Sequence, residues 1–230
     1  MKVARHYRLI KRASGTEGKV PMREAIYIEP RAQMPPFSVY RGFLNSTMHA
    51  SLLAWAIENE AKFEVSLVSR KAKHEPSIRT SFCVSDFGPM MALFCQRLLD
   101  LAPTLIRDLH VTPFEPSTVE LEMVANNHGA FFKRHIDTVT GSGRQAGERM
   151  LSAVYYFHAE PKAFSGGALR LYSLGTKVEE RNFTDVHPEQ NMLLVFPSWW
   201  VHEVLPISCP SRRFSDSRFN VNCWVHRNSK

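Results

Sequence analysis

At residue 118 the periodicity of the chain changes. Before it, apolar residues recur every three or four positions; after it they alternate with polar ones, as Val119, Leu121 and Met123 do with Glu120 and Glu122. A period near 3.6 buries a stripe of a helix and a period of two buries one face of a strand, so the two halves fold differently. Upstream, Asn45-Ser46-Thr47 supplies N-cap chemistry ahead of Met48, Leu52, Leu53, Trp55, Ala56 and Ile57. Ser85-Asp86 and Pro89 then precede a second stripe, Met90, Met91, Phe94, Leu98 and Leu101, with Pro103 expected to open a further short turn. Both stripes read as core. Downstream, strands are expected over 118–125, 130–137, 150–158, 167–174, 191–196, 200–205 and 218–226, separated by Gly, Pro, Ser and Asn/Asp clusters. Helices followed by a run of strands predict an α+β chain, mainly β, in which helices support a β-sandwich or barrel.

A length of 230 residues suits one undivided β-rich domain. Residues 1–45, punctuated by glycines and prolines around Ala25-Ile26-Tyr27-Ile28, are expected to be an extension with one edge strand docked on the core. Residues 46–230 form the domain itself, with helical support at 46–110 and a jelly-roll core at 118–226. The net charge of +7 is local: residues 1–23 hold seven lysines and arginines and one glutamate, leaving the body near neutral. Such a segment reads as a solvated extension rather than a nucleic-acid arm. No apolar run is long enough to cross a bilayer, and the first residues lack a signal-peptide centre, so a cytoplasmic protein is expected. Cys83, Cys95, Cys209 and Cys223 are scattered, with no C-x-x-C pair, and read as reduced thiols.

The chemistry begins at Phe131-Phe132-Lys133-Arg134-His135-Ile136-Asp137. On a strand, His135 and Asp137 share a face and can converge on one ion. A jelly roll brings remote strands together, and Phe196-Pro197-Ser198-Trp199-Trp200-Val201-His202 supplies a second imidazole after an aromatic turn. Two imidazoles and one carboxylate occupy one face of an octahedral Fe(II), leaving positions open for a bidentate co-substrate and dioxygen. Zinc would call for Cys or a third His, and no helical H-E-x-x-H is present. An oxygenase of this type needs a two-electron donor, and a 2-keto acid needs a fixed cation for its far carboxylate. Arg218 opens a strand on which Arg218, Asn220, Asn222 and Trp224 share one face, so its guanidinium is the candidate, with the Trp walling the pocket. Arg212 and Arg213 lie in a Pro/Ser-rich loop without that alternation.

Four blocks, Gly129 to Asp137, Leu151 to Phe157, Ser165 to Tyr172, and His202-Glu203-Val204 with Arg218 to Trp224, occur in an order and spacing that resemble the prolyl-4-hydroxylase-like Fe(II)- and 2-oxoglutarate-dependent dioxygenases. The likeness covers about residues 118–226. It implies a double-stranded β-helix (jelly roll) core, with His135, Asp137 and His202 holding iron and Arg218 pairing with the distal carboxylate of 2-oxoglutarate. It further implies that Tyr156 bonds the same carboxylate, that Gly166-Gly167 allows close backbone approach, and that Asn222 and Trp224 line the co-substrate pocket. The family often places a Tyr about ten residues before the first iron-binding His; here Asn126, Asn127 and His128 are the polar candidates for that role. Asp137, where a halogenase has Ala or Gly, points away from halogenation.

The resemblance implies hydroxylation of an unactivated C–H of an amino acid, free or within a peptide or protein, with O2 consumed, succinate and CO2 released, and ascorbate as a stimulant. Two loops are candidates for substrate choice: residues 138–149, and residues 66–80, whose Arg70, Lys71 and Arg79 are placed to engage a carboxylate. The competing readings are a cupin-like metal-binding protein without oxygenase activity, which leaves Arg218 unexplained, and a basic nucleic-acid-binding module. Neither the substrate nor the oligomeric state follows from the sequence.

Overall fold

The computed structural model describes residues 34–67, 74–138, 148–174 and 182–227. In chain order its elements are β1 (Ser38–Arg41), α1 (Ser46–Glu58), β2 (Glu64–Val65), β3 (Arg79–Thr80), β4 (Phe82–Val84), α2 (Met90–Asp108), β5 (Pro116–Asn126) and β6 (Phe131–His135). There follow β7 (Glu148–Phe157), β8 (Ser165–Gly166), β9 (Leu169–Tyr172), β10 (Phe183–Val186), β11 (Met192–Pro197), β12 (His202–Val204), β13 (Ile207–Ser208) and β14 (Arg218–Arg227). Among the described residues they form a larger sheet, β1-β11-β7-β14-β5-β4-β2, a smaller one, β10-β9-β12-β6-β3, and the short pair β13-β8. Pairing is antiparallel throughout, and sequence-remote strands lie side by side, as β14 does between β5 and β7. This is a double-stranded β-helix.

Helix α1 begins where the sequence predicts: Asn45 Oδ1 accepts the Met48 N–H at 2.9 Å. The second helix departs from expectation, because α2 runs through Pro103 to Asp108 instead of stopping before it. An interior proline lacks an N–H and crowds the carbonyl four residues back, at a cost of about 3 kcal/mol. Here Phe94 and Leu98 before it and Ala102, Leu105 and Ile106 beside and after it are all buried on one stripe. Fully burying a side chain such as Leu98 contributes about 1.5–3 kcal/mol, so the stripe outweighs the proline. No helix of the described residues is long and apolar enough to cross a membrane.

Strand parity divides the molecule into two cores. Leu121, Met123 and Ala125 of β5, Leu151, Ala153, Tyr155 and Phe157 of β7, and Phe219, Val221 and Cys223 of β14 pack with Leu52, Phe94 and Leu98 of the helices. The opposite face of the larger sheet contributes Val154, Tyr156, Leu194 and Phe196, which meet Leu169 and Leu171 of the smaller sheet. Tyr155 and Tyr156 therefore face opposite sides: the first closes the helical core, the second enters the space between the sheets. The residues that alternate with the helical core, including Asn126, Ser152, Asn220, Asn222 and Trp224, line a cavity in that space.

Several boundaries differ from the sequence expectation. An edge strand is present, but at Ser38–Arg41; residues 25–28, where the sequence suggested one, lie outside the described residues, as does the basic segment 1–23. Strand β6 ends at His135 rather than 137, because the Asp137 N–H turns to the Ser198 carbonyl at 2.9 Å. The segment 66–80, expected as a loop or loose hairpin, ends in β3, which joins the smaller sheet at β6; its residues 68–73 lie outside the description. All four cysteines are free.

Candidate functional site

The two histidines meet because their strands do. His202 of β12 sits directly across from His135 of β6 in the antiparallel register. His135 Nδ1 lies 2.7 Å from the Lys133 carbonyl and His202 Nδ1 lies 2.8 Å from the Trp200 carbonyl. A carbonyl oxygen only accepts, so each Nδ1 carries the hydrogen and each Nε2 presents its lone pair. Those lone pairs face one carboxylate: Asp137 Oδ1 is 3.6 Å from His135 Nε2, and Asp137 Oδ2 is 3.6 Å from His202 Nε2. The three ligand atoms all lie within 4.8 Å of one another. Burial, then the repulsion between the two imidazoles when both are protonated, pushes the His135 pKa down to about 3, so it is a neutral donor at pH 7. Burial works to raise the pKa of Asp137, but His202 and His135, followed by Ser152 and Trp224, outweigh it and hold the carboxyl below the ordinary range.

Asp137 is held from below. Ser152 donates to its Oδ2 at 2.6 Å, and Ser152 Oγ is in turn 2.9 Å from Ser198 Oγ. Trp224 lies on the Asp137 side of the cavity, with the Arg149 guanidinium 3.9 Å over its ring. Trp224 lines the same cavity as Arg218, at its Asp137 end, and no hydrogen bond joins it to Arg218 among the described residues.

Arg218 is 2% exposed. Its Nη1 donates to the Gly167 carbonyl at 2.6 Å and its Nη2 to Asn220 Oδ1 at 3.0 Å, while its guanidinium lies 5.3 Å from the Tyr156 ring centre. Two buried polar atoms here have no partner, Arg218 Nε and the Tyr156 hydroxyl. Burial pushes the Tyr156 pKa up to about 12, so the hydroxyl keeps its proton. No carboxylate pairs with Arg218 among the described residues. A buried, uncompensated guanidinium beside an unsatisfied O–H is costly unless an anion completes it. The donors left over are those a carboxylate would take.

Asn126 is the member of the Asn126, Asn127 and His128 trio that reaches this cavity, donating to Asn220 Oδ1 at 2.8 Å. Asn127 and His128 line a different cleft with Phe82 and Phe214. Asn222 is one bond removed from Arg218: it accepts from Asn220 at 2.7 Å and donates to Glu122 at 3.3 Å. Arg212 lies in the Phe82 cleft, and Arg213 pairs with Asp216 at 2.9 Å, so neither competes with Arg218 for the cavity. Ser152 and Glu122, not singled out from sequence, were legible in principle, since each shares the inward parity of its strand.

Gly167 has to be glycine. Its φ is +69°, and a Cβ there would sit 2.7 Å from Ile207 Cγ1 and 3.3 Å from Arg218 Nη1. Gly167→Ala is expected to destabilise the fold by about 1–3 kcal/mol, read as a lower urea midpoint at unchanged slope. An unchanged midpoint would mean that the turn from β8 to β9 adjusts freely against β13.

A double-stranded β-helix with two imidazoles and one carboxylate on paired strands, and a buried free guanidinium beside them, has the make-up of a non-haem iron oxygenase that uses a keto acid. Residues 121–226 match the family model described as the 2OG-Fe(II) oxygenase superfamily, so this part of the chain is an oxygenase domain of that superfamily. An uncharacterized PKHD-type hydroxylase of Synechocystis sp. is 34% identical over 191 residues, which is 81% of this chain. The chain spans 62% of the length of that relative. Among solved structures, a prolyl-4-hydroxylase of Pseudomonas putida aligns over 85% of this chain and 94% of its own, with a TM-score of 0.60 and 24% identity. A prolyl hydroxylase of Trichoplax adhaerens, in complex with a hypoxia inducible factor peptide fragment, aligns over 84% of each chain, with a TM-score of 0.59 and 19% identity. At such identities the likeness is one of fold. Fe(II) and 2-oxoglutarate are the cofactors of this superfamily, and the donor set of His135, Asp137 and His202 with the unsatisfied Arg218 and Tyr156 fits them.

Proposed function

We propose that the protein is a 2-oxoglutarate-dependent hydroxylase acting on an unactivated C–H of an amino acid, free or within a peptide. The observation that carries this reading is the placement of the three metal-type donors and the uncompensated Arg218 around one cavity. His135, Asp137 and His202 would hold iron; Arg218 and Tyr156 would take the distal carboxylate of 2-oxoglutarate. Bound there, iron(II) with 2-oxoglutarate and O2 supplies the oxidation, one oxygen atom going into the substrate C–H bond and the other into succinate as CO2 leaves.

The chain's own contribution is orientation and shielding. The Lys133 and Trp200 carbonyls fix the imidazole tautomers, Ser152 and Ser198 fix the carboxylate, and Gly167 and Asn220 fix the guanidinium. Phe132, stacked 3.6 Å from the His135 ring, would shield that side of a bound metal from water. The prolyl hydroxylases of similar fold, one with a peptide bound, support an amino-acid residue as the substrate class. Four free cysteines suit a reducing compartment, which supports a cytoplasmic location.

The test is succinate formation by purified protein given Fe(II), ascorbate and 2-oxoglutarate, with amino acids and peptides added in turn. One substrate class is expected to raise the yield, and His135→Ala to lose it. Equal yields from the wild type and His135→Ala would overturn the reading.

A further inference from the structure

A second guanidinium lines the same cavity, and it differs from Arg218 in one respect that bears on substrate. Arg79, on β3, is 9% exposed. Its Nε donates to Ser81 Oγ and its Nη2 to Glu122 Oε2, both at 2.9 Å. Its plane lies 5.1 Å from the centre of the Phe132 ring, which stacks on His135. Ser81 is itself tied to Ser66 at 2.8 Å. The side chain is thus held on three sides, beside the Phe132 ring that stacks on His135, and its Nη1 has no hydrogen-bond partner among the described residues.

The two guanidiniums end one hydrogen-bonded row: Arg218 to Asn220, Asn220 to Asn222, Asn222 to Glu122, and Glu122 to Arg79. At the Arg218 end no carboxylate balances the charge. At the Arg79 end Glu122 does so directly, with side chains 10% and 20% exposed. An unbalanced buried cation calls for an anion. A balanced one still offers N–H donors, but a substrate carboxylate placed there would face Glu122 across the same guanidinium, and like charges so placed cost several kcal/mol. What fits Nη1 is an uncharged acceptor.

We propose that Arg79 and Glu122 form a carbonyl-recognition subsite that reads the peptide C=O of the residue to be oxidised and so selects amide-linked residues over free amino acids. This rests on the hydroxylase reading above and narrows its substrate class. It also revises the expectation that Arg79 engages a carboxylate; Arg70 and Lys71 lie outside the described residues.

The experiment is calorimetric binding to the full chain loaded with Fe(II) and 2-oxoglutarate in the absence of oxygen. The probes are capped tripeptides, acetyl-Ala-Xaa-Ala-amide with Xaa varied across the amino acids, and the matching free amino acids. At least one capped probe is expected to bind, ten times or more tighter than its free counterpart. Arg79→Leu weakens that binding by roughly tenfold to a hundredfold, the range of a hydrogen bond from a charged group. Glu122→Gln keeps the shape but removes the counter-charge, so it narrows the preference at least fivefold by improving binding of the free, carboxylate-bearing probe. A purely structural role for the pair would weaken both probes alike. The proposal is overturned if no capped probe binds, if free amino acids bind as well, or if Glu122→Gln leaves the ratio unchanged. Loading reports separately on the hydroxylase reading: failure to bind 2-oxoglutarate sinks that reading, whereas binding without a capped preference sinks only the subsite.

Discussion

Arg218→Leu is expected to remove most of the stabilisation that 2-oxoglutarate confers and to raise the concentration required for binding by roughly thirtyfold to several thousandfold. That range follows from the roughly 2–5 kcal/mol lost when one partner of a buried hydrogen-bonded charge pair is truncated, at tenfold per 1.4 kcal/mol. In the wild type, ligand at a hundred times its dissociation constant adds about 2.7 kcal/mol to stability. At that concentration the variant gains at most about 1 kcal/mol, and almost nothing at the weaker end of the range, and a thermal melt with and without 2-oxoglutarate reads the difference. The ligand-free variant changes far less. It sheds a buried charge that has no counter-ion among the described residues, and against that it leaves the Gly167 carbonyl without its donor, while Asn220 Oδ1 keeps the Asn126 donor. Arg213→Ala serves as the control, because Arg213 pairs with Asp216 on the surface with its side chain 72% exposed. A normal 2-oxoglutarate shift in Arg218→Leu, lost instead in Arg213→Ala, would move the co-substrate cation to the loop.

The helices were legible because their signals are local. The Asn45 cap and the stripe through Leu52 and Ala56 specify α1 within one stretch of chain. Pro103 misleads for the opposite reason: what keeps α2 intact is a sheet face formed by residues far along the chain. Long strands such as β5, β7 and β14 declare themselves by alternation. Strands of two to four residues do not, because Arg79–Thr80 or Phe183–Val186 holds too few positions to define a period, and their pairing partners decide their state.

The same distinction governs the site. Tyr156 and Arg218 stand on the long strands β7 and β14, and their inward parity follows from neighbours that must be buried, whereas His135 and Asp137 are legible by their spacing at the end of β6 and His202 by the aromatic turn before the short β12. The choice between Tyr155 and Tyr156 is settled by which face meets the helices. Parity fixes a face but not a position along it. Trp224 shares a face with Arg218 yet lies toward Asp137, because the residues between them, Asn220 and Asn222, span the distance along β14. Asn126, Asn127 and His128 could not be separated in the sequence, since the break after β5 that sends the latter two into another cleft depends on their hydrogen bonds to Arg213, Ser217 and Cys209. Glu122, the counter-charge of Arg79, alternates with apolar residues and resembles a solvated strand face, until the second sheet covers it.

Asp137→Ala is expected to lower metal affinity by more than a hundredfold, and Ser152→Ala by roughly ten- to a hundredfold, the range typical of groups that support a ligand. The ordering follows from geometry. Without Asp137, two imidazoles remain and the negative charge that faces both Nε2 atoms is gone. Without the Ser152 hydroxyl, the carboxylate keeps its place against His135 and His202 but loses its 2.6 Å donor, and Ser198 loses its partner. Ser152→Thr keeps the hydroxyl and is expected to recover most of the affinity if its methyl group fits beside Ser198. The measurement is Co(II) titration of metal-stripped protein, followed by its electronic absorption, which reports binding without turnover. Unfolding curves of the metal-free variants separate a lost ligand from a lost fold. Equal affinities in wild type and Asp137→Ala would remove the carboxylate from the metal site, and a Ser152→Ala loss as large as that of Asp137→Ala would mean that the hydroxyl binds metal itself rather than steadying the carboxylate that does.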